Sequence, residues 1–227
     1  MGKSTELGYN NRLFESGFIR RYLHLSRFRW LAKVTKGCVL KTDTVLDLGC
    51  FDGRSSQYIP KPLKYIGLDA GWEQPTSLFT SETSDFRYCD NPADFSIHLK
   101  HVDVFISLET LEHIDNKILS EYLKVLSESD IRRGFISVPN EMGLVFITKQ
   151  IVKRIFYGNE WSYTAKEFCY QFLGMVHRVE RNQHKGFSYR NLHKELEELF
   201  TVKITSIHGK FWPLYFSSQV GFIITRK

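Results

Sequence analysis

Short apolar segments that end in glycine or an acid recur along the chain, and they constrain the fold more than any other feature. Helical patterns follow some of these segments, as at 54–59 and 116–127. Strands that alternate with helices predict βαβ units and a parallel sheet, whose ligands bind at the carboxyl ends of the strands. Four of the predicted ends carry Gly49, Asp69, Asp90 and Glu109. The five predicted strands are TVLDLG (44–49), KYIGLDA (64–70), FRYCD (86–90), VDVFISL (102–108) and GFISVP (134–139).

The order of the strand and helix segments predicts one α/β domain with a Rossmann-like, doubly wound sheet that is mostly parallel. Of the 227 residues 42% are apolar, which is sufficient for one core. After a helix at 188–200, segments 201–209 and 218–227 predict a final antiparallel strand pair. The predicted parts are an N-terminal helical cover (1–42), a cofactor-binding core (43–140), a helical insertion after the fifth strand (141–187), and the last helix with the strand pair (188–227).

Composition excludes several classes of protein. No apolar run is long enough to span a bilayer, and the first residues lack the apolar segment of a secretion signal. The four cysteines form no Cys-x-x-Cys pair, which argues against a zinc knuckle or a disulfide framework. We therefore expect a reducing, cytoplasmic setting.

The formal charge of +6 is concentrated in two segments. Residues 1–42 carry nine Lys/Arg against two Glu, and residues 143–190 carry eight against three acids. The second segment mixes its cations with aromatic residues such as Tyr163 and Trp161. Such a surface could stack on nucleic-acid bases, bind the phosphates of a sugar carrier, or rest on an anionic membrane surface. The alternative is a solvated face over aromatic residues that form a core.

The segment DLGCFDG, from Asp47 to Gly53, predicts a ligand-binding turn. Glycine is favoured where φ is positive or where a ligand presses on the backbone. Asp69 follows Gly49 by 20 residues, the separation at which an acid on the second strand reaches ribose hydroxyls. Neither the Gly-x-Gly-x-x-Gly pattern of a nicotinamide site nor the Gly-Lys-Ser/Thr of a P-loop is present. The turn and the acid together predict a nucleoside ligand.

VLDLGCFDG, IGLDA, the Cys89–Asp90 pair and VDVFISLETLEHI together resemble class I S-adenosylmethionine-dependent methyltransferases over roughly 43–140. The family loop is usually Asp-x-Gly-x-Gly-x-Gly, and Phe51 here replaces the middle glycine. The resemblance implies S-adenosylmethionine as cofactor, with its methionine moiety near Asp47 and Gly49. The implied cofactor-binding residues are Asp47, Gly49, Cys50, Phe51, Gly53, Asp69, Ala70, Asp90, Ser107, Leu108 and Glu109.

The resemblance also implies individual roles for several of these residues. Asp69 would hold the ribose, and Asp90 would face the adenine amine. Ser107 and Leu108 would line the pocket near the sulfonium. For Asp90 the alternative is a turn acid before Asn91 and Pro92.

The segment ISLETLEHI places Glu109, Glu112 and His113 at i, i+3 and i+4, which is one face of a helical turn. Small-molecule O-methyltransferases of the ubiquinone-biosynthesis kind commonly have Glu-x-Leu-Glu-His here. Small-RNA 3′-terminal 2′-O-methyltransferases use Glu-x-x-Glu-His as metal ligands, with a further histidine downstream. The fifth strand ends SVPNEMG, without a histidine, which disfavours RNA.

We therefore predict His113, with Glu112, as the catalytic residues and assign no metal. Two alternatives remain open. A divalent metal could bind two carboxylates and the imidazole, or these residues could simply begin a helix.

The downstream pattern VPNE…HRVERNQHKGFSYR resembles methyltransferases of surface-glycan and lipid-linked saccharide biosynthesis. The predicted function is O-methylation of a small or carrier-linked acceptor such as a sugar hydroxyl. An RNA-modifying methyltransferase and a non-catalytic domain that binds the cofactor or a partner are the alternatives. His177 and His184 lie in this segment, where either could reach the acceptor as a base, although a loop histidine is usually structural or solvated.

Overall fold

The computed structural model describes residues 18–70, 81–157, 162–182, 184–208 and 213–227. Seven strands form one sheet in the order β3-β2-β1-β4-β5-β7-β6. Strands β1 to β5 are mutually parallel, and β7 runs antiparallel to both β5 and β6. The predicted mostly parallel, doubly wound sheet is therefore confirmed. The strands are β1 (Thr44–Leu48), β2 (Lys64–Asp69), β3 (Ser84–Tyr88), β4 (Val104–Leu108), β5 (Arg133–Pro139), β6 (Phe200–Ser206) and β7 (Gln219–Arg226).

The helices in the described ranges agree with the predicted pattern except at two places. Segment 54–59 forms a short 3-10 turn, Arg54–Tyr58, rather than an α-helix. A helix that the sequence pattern did not predict begins at Pro92, where Asn91 caps it by accepting a hydrogen bond from the Asp94 amide. None of these helices is long and apolar enough to cross a membrane. They are α1 (Phe18–Thr35), α2 (Pro92–His98), α3 (Asn116–Ser127), α4 (Gly143–Tyr157), α5 (Ala165–Phe172) and α6 (Tyr189–Leu199).

Helices cover both faces of the sheet because the central strands are apolar on both sides. Side chains alternate along each strand, so that Val45 and Leu46 enter different cores. Helix α1 packs on one face, and α2, α3 and α6 pack on the other. Helix α1 lies within the segment for which the sequence predicts an N-terminal helical cover, and the part of that segment before residue 18 lies outside the described residues.

The insertion after β5 carries a small core of its own. Phe146 of α4 packs edge-on against Tyr163 and lies 5.0 Å, between ring centroids, from Phe168 of α5. Several aromatic residues of this basic segment therefore form a core, as in the alternative set out above. Trp161 lies outside the described residues.

The loops after β1 and β4 meet at the point where the strand order reverses. Strand β1 lies between β2 and β4, so the strand order reverses there, and ligands of such sheets bind at this point. Gly49 has φ +76°, and a Cβ built on it would overlap the side chain of Thr110. Glycine at this position therefore lets the two loops touch.

Candidate active site

A cavity of about 510 Å³ opens at the carboxyl ends of β1, β2 and β4. This volume lies in the range of pockets that hold a small ligand or cofactor. The predicted site residues that line it are Asp47, Gly49, Cys50, Phe51, Asp69, Ala70, Asp90, Leu108, Glu109 and His113.

Three predicted site residues do not line this cavity. Gly53, with φ +71°, precedes the 3-10 turn at Arg54. Ser107 is wholly buried, because alternation along β4 turns its side chain away from the face on which Leu108 meets the cavity. Glu112 is also wholly buried, directly beneath the lining residue His113.

Asp47 is a buried anchor at the base of the cavity. Its Oδ2 accepts hydrogen bonds from the hydroxyl of Ser55 and from that of Tyr65 at 2.5 Å. Burial raises the pKa of Asp47 to about 7, although both hydroxyls lower it. The carboxyl group thus ties the turn after β1 to β2.

The raised pKa of Asp47 predicts a pH-dependent stability. In the unfolded chain this carboxyl ionises near its ordinary pKa of 3.8, so between about pH 4 and pH 7 the folded protein binds more protons than the unfolded one. Stability therefore falls as pH rises through this window. Relative to Asp47→Asn, the wild type should lose about 3 kcal/mol of unfolding free energy between these limits. Urea denaturation at a series of pH values measures this difference. The exposed Asp130→Asn serves as control, and parallel curves for wild type and Asp47→Asn would contradict the prediction.

Asp69 and Phe51 connect the end of β2 to the turn after β1. The amide of Phe51 donates a hydrogen bond of 2.9 Å to Asp69 Oδ2. Phe51 itself has φ +47°, so the residue that replaces a family glycine still adopts a left-handed backbone. The turn therefore keeps the conformation that glycine favours, at a cost in strain.

Asp90 lies at the exposed edge of the cavity, at the end of β3. Its carboxylate accepts hydrogen bonds from Tyr88 Oη at 2.8 Å and from Asn91 Nδ2 at 2.9 Å. These bonds, led by that from Tyr88, lower the pKa of Asp90. The position of Asp90 is compatible with a contact to a ligand. It is also compatible with the alternative role as a turn acid, since the neighbouring Asn91 caps α2.

Helices α1 and α3 contribute lining residues that the sequence did not single out. Arg27 and Phe28 reach the cavity from α1, where the guanidinium lies 4.9 Å from the centroid of the Phe28 ring. Ile118 and Tyr122 reach it from α3. The basic, amphipathic pattern of the N-terminal segment predicted a cover, but nothing in it distinguished the residues that face the cavity.

The backbone after β4 is not the single helical turn that the sequence predicted. Glu109 has φ +55°, and only Leu111–His113 forms a 3-10 turn. In the described part of the chain three non-glycine residues have positive φ, and two of them, Phe51 and Glu109, line this cavity. Such strain tends to cluster at functional sites.

Three carboxylates, those of Glu109, Glu112 and Glu141, interact electrostatically near the end of β4. Burial raises the pKa of Glu109, although the charges of Arg27 and Lys149 lower it. Burial also raises the pKa of Glu112 well above its ordinary value, and the nearby Glu109 and Glu141 raise it further. Neither carboxylate oxygen of Glu112 has a hydrogen-bond partner among the described residues. An unsatisfied buried carboxylate is costly, and therefore suggests a missing ligand.

His184 reaches this carboxylate from the insertion. Its ring lies edge-on to that of His113, with 4.6 Å between centroids, and ligand atoms of Glu112, His113 and His184 all lie within 4.8 Å of one another. Burial lowers the pKa of His113, and it lowers that of His184 to about 4, so both imidazoles are neutral near pH 7. We call these three residues the Glu-His-His trio. One carboxylate and two neutral imidazoles are ligands suited to a divalent transition metal.

The loop that carries His184 is held by contacts on both sides. Arg181 Nη2 donates to the carbonyl oxygens of Glu112 at 2.6 Å and Ile114 at 3.3 Å, which fixes the loop to the turn after β4. The buried Gln171 accepts from the Gly186 amide at 3.0 Å and donates to two carbonyls. The sequence does not predict that His184 approaches Glu112 and His113, because this approach depends on these tertiary contacts.

No family model and no curated protein matches the chain. Several solved structures, in contrast, are similar to it. The methyltransferase domain of a bacterial Hen1, CtHen1-CN, shares 19% identity and a TM-score of 0.58, covering 89% of this chain and 99% of that one. The small RNA methyltransferase HEN1 shares 17% identity and a TM-score of 0.63, over 94% of this chain and 26% of that one. Magnesium protoporphyrin IX methyltransferase from Synechocystis PCC 6803, with bound S-adenosylhomocysteine, shares 15% identity and a TM-score of 0.53, over 95% and 92%.

These matches establish the fold. The chain has the class I fold of S-adenosylmethionine-dependent methyltransferases, as the sequence motifs implied.

Proposed function

We propose that this chain is an S-adenosylmethionine-dependent methyltransferase that methylates a sugar hydroxyl on a small or carrier-linked acceptor. The observation that carries the methyl transfer is the Glu-His-His trio beside a cofactor-sized cavity at the switch point of the sheet. The sugar acceptor is favoured by the resemblance of the segment HRVERNQHKGFSYR to methyltransferases of glycan biosynthesis. Asp69 and Asp90 line the cavity and offer carboxylate oxygens as acceptors for the hydroxyls and the amine of a nucleoside. The shape and polar groups of the cavity therefore fit the cofactor that the fold implies.

The chain has to position an acceptor more than activate a leaving group. When bound, S-adenosylmethionine supplies a methyl group on a sulfonium, which is already an excellent leaving group. The acceptor hydroxyl must then be oriented towards that methyl group and must lose its proton. Glu109 and His113 line the cavity where β4 ends, and so they would lie beside such an acceptor.

We also propose that the Glu-His-His trio holds a divalent cation. Both oxygens of Glu112 and Nδ1 of His184 are buried without hydrogen-bond partners among the described residues, and a cation would satisfy them. The donor set favours a cation such as Mn²⁺ over Mg²⁺, which prefers oxygen ligands. A cation here would polarise the hydroxyl of the acceptor.

A cation-free alternative uses His113 as the base. Its side chain is 44% exposed, and Nε2 lies 3.8 Å from Glu112 Oε1. A neutral imidazole in this position could accept the hydroxyl proton directly. The two mechanisms differ in one measurable respect, since only the first requires a metal.

A second candidate acceptor is the 2′-hydroxyl at the 3′ end of an RNA. It is favoured by the Glu-His-His trio, in which His184 supplies the downstream histidine missing from the end of β5. It is also favoured by likeness to two Hen1 proteins, one of them described as a small RNA methyltransferase. A terminal ribose and a glycan sugar both present vicinal hydroxyls, so the trio alone does not rank them.

The test uses purified protein and methyl-labelled S-adenosylmethionine with separated lipid, saccharide and RNA fractions of a cell extract. Each assay is run with EDTA and then with Mn²⁺ restored. We expect label in a lipid or saccharide fraction, lost with EDTA and regained with Mn²⁺. Label in RNA alone would replace the glycan acceptor with the second candidate. Labelling that EDTA leaves unchanged would support His113 as a metal-free base, and labelling of no fraction would contradict the proposed activity.

A further inference from the structure

Helix α4 presents an apolar side to solvent. Leu144, Ile151 and Ile155 are 58%, 50% and 69% exposed, and their spacing of seven and four residues places them on one side of the helix. The opposite side is buried through Phe146 against Tyr163. The helix thus already has a core-facing stripe, and the exposed stripe is additional to it.

The apolar surface continues beyond the helix across a groove of about 370 Å³. Leu144 lines this groove together with Leu173, Tyr215 and Phe216, whose exposed fractions range from 52% to 68%. We define the α4 face as Leu144, Ile151, Ile155, Leu173, Tyr215 and Phe216. Contiguous exposed apolar patches of this kind mark interaction sites on monomeric proteins.

Cations accompany the α4 face, whereas acids are absent from its helix. The sequence of α4 contains Lys149, Lys153 and Arg154 and no Asp or Glu. The exposed Arg154 flanks the apolar stripe, whereas Lys153, seven residues after Phe146, lies on the other side of the helix. At the groove, the guanidinium of Arg190 lies 5.8 Å from the centroid of the Tyr215 ring. A second copy of the chain would bring like charges together across this face. An anionic surface would complement them.

We propose that the α4 face docks on an anionic phospholipid bilayer. Its apolar side chains would enter the boundary between headgroups and acyl chains, while Arg154 and Arg190 contact lipid phosphates. Aromatic residues such as Tyr215 are well suited to this boundary, because one end of the ring is apolar and the other is polar. Docking of this kind is peripheral and independent of the methyl transfer proposed above.

The test is co-sedimentation of the full chain with vesicles of phosphatidylglycerol and phosphatidylcholine, compared with phosphatidylcholine alone. We expect binding to the anionic vesicles and little to the neutral ones. Ile151→Gln with Ile155→Gln should weaken the anionic binding about tenfold or more, since each change removes apolar burial. Arg154→Gln with Arg190→Gln should also weaken it. Ile97→Gln, at an equally exposed isoleucine on α2, is the matched control and should bind as the wild type does.

Three results would overturn the proposal. One is equal or negligible binding to the two kinds of vesicle. A second is binding that raised salt abolishes and that the isoleucine changes leave unaltered, since this would be non-specific attraction of charges. A third is a dimer in solution that the isoleucine changes dissociate, which would assign the face to a second copy. Circular dichroism of each variant establishes that it is folded, and the exposed Leu173→Gln provides an independent change in the same face.

Discussion

Replacing Glu112 by glutamine should abolish divalent-cation binding and lower methyl transfer about a hundredfold or more, while making the metal-free protein more stable. The carboxylate is wholly buried, has no hydrogen-bond partner among the described residues, and lies near the acids Glu109 and Glu141. Glutamine removes the cost of burying an ionisable group whose pKa burial raises well above its ordinary value, and it also removes the anionic ligand. We expect the unfolding free energy without metal to rise by about 1–3 kcal/mol.

Two measurements on the same samples check this pair of opposite effects. Titration with Mn²⁺, followed by electron paramagnetic resonance, gives cation affinity without requiring turnover. Thermal unfolding in EDTA gives the stability of the metal-free protein. Glu121→Gln, at an exposed position on α3, is the matched control and should change neither. Unaltered Mn²⁺ affinity in Glu112→Gln would exclude the carboxylate as a ligand, and a marked loss of metal-free stability would mean that it has a structural role instead.

Replacing Gly49 by alanine should destabilise the protein by about 3 kcal/mol or more and abolish cofactor binding. The added Cβ would sit at φ +76° and would overlap the side chain of Thr110 from the loop after β4. Relief of this overlap requires the loops after β1 and β4 to separate, and residues of both loops line the cavity. The effect therefore combines backbone strain with displacement of the site.

Gly37 provides the matched control for this change. It has φ +74°, but a Cβ there would meet no described atom within 4 Å. Gly37→Ala should therefore cost only the backbone strain, about 1 kcal/mol. Urea denaturation and calorimetric titration with S-adenosylhomocysteine measure both variants. If Gly49→Ala were as mild as Gly37→Ala, the contact between the two loops would not be needed for binding.

The sheet could be predicted from the sequence because its signals are local. An apolar strand such as TVLDL and the glycine that ends it lie within a few residues of each other, and the order of such units determines a parallel sheet. The short helix α2 was missed, although Asn91 and Pro92 are standard signals for the beginning of a helix. Asn-Pro is also typical of a turn, which is the alternative given above for Asp90.

The site could be predicted only where it follows the strands. Asp47, Asp69 and Leu108 line the cavity because the carboxyl ends of parallel strands share one edge. The left-handed backbone at Glu109 could not be predicted, since glutamate does not favour it, and the expected helical turn was therefore wrong. The position of His184 beside His113 could not be predicted for a different reason. Its approach to His113 depends on Arg181 and Gln171, whose partners are distant in sequence.

The Glu-His-His trio is divided between the turn after β4 and the loop held by Gln171. This division affects how acceptor preference can be exchanged between related enzymes. A chimera that replaces residues 141–187 would remove His184 together with Arg181 and Gln171. On the proposal that the trio binds a cation, the recipient would retain its cavity but would lack one of the proposed ligands. A transplanted insertion would therefore have to bring an equivalent histidine in the same position.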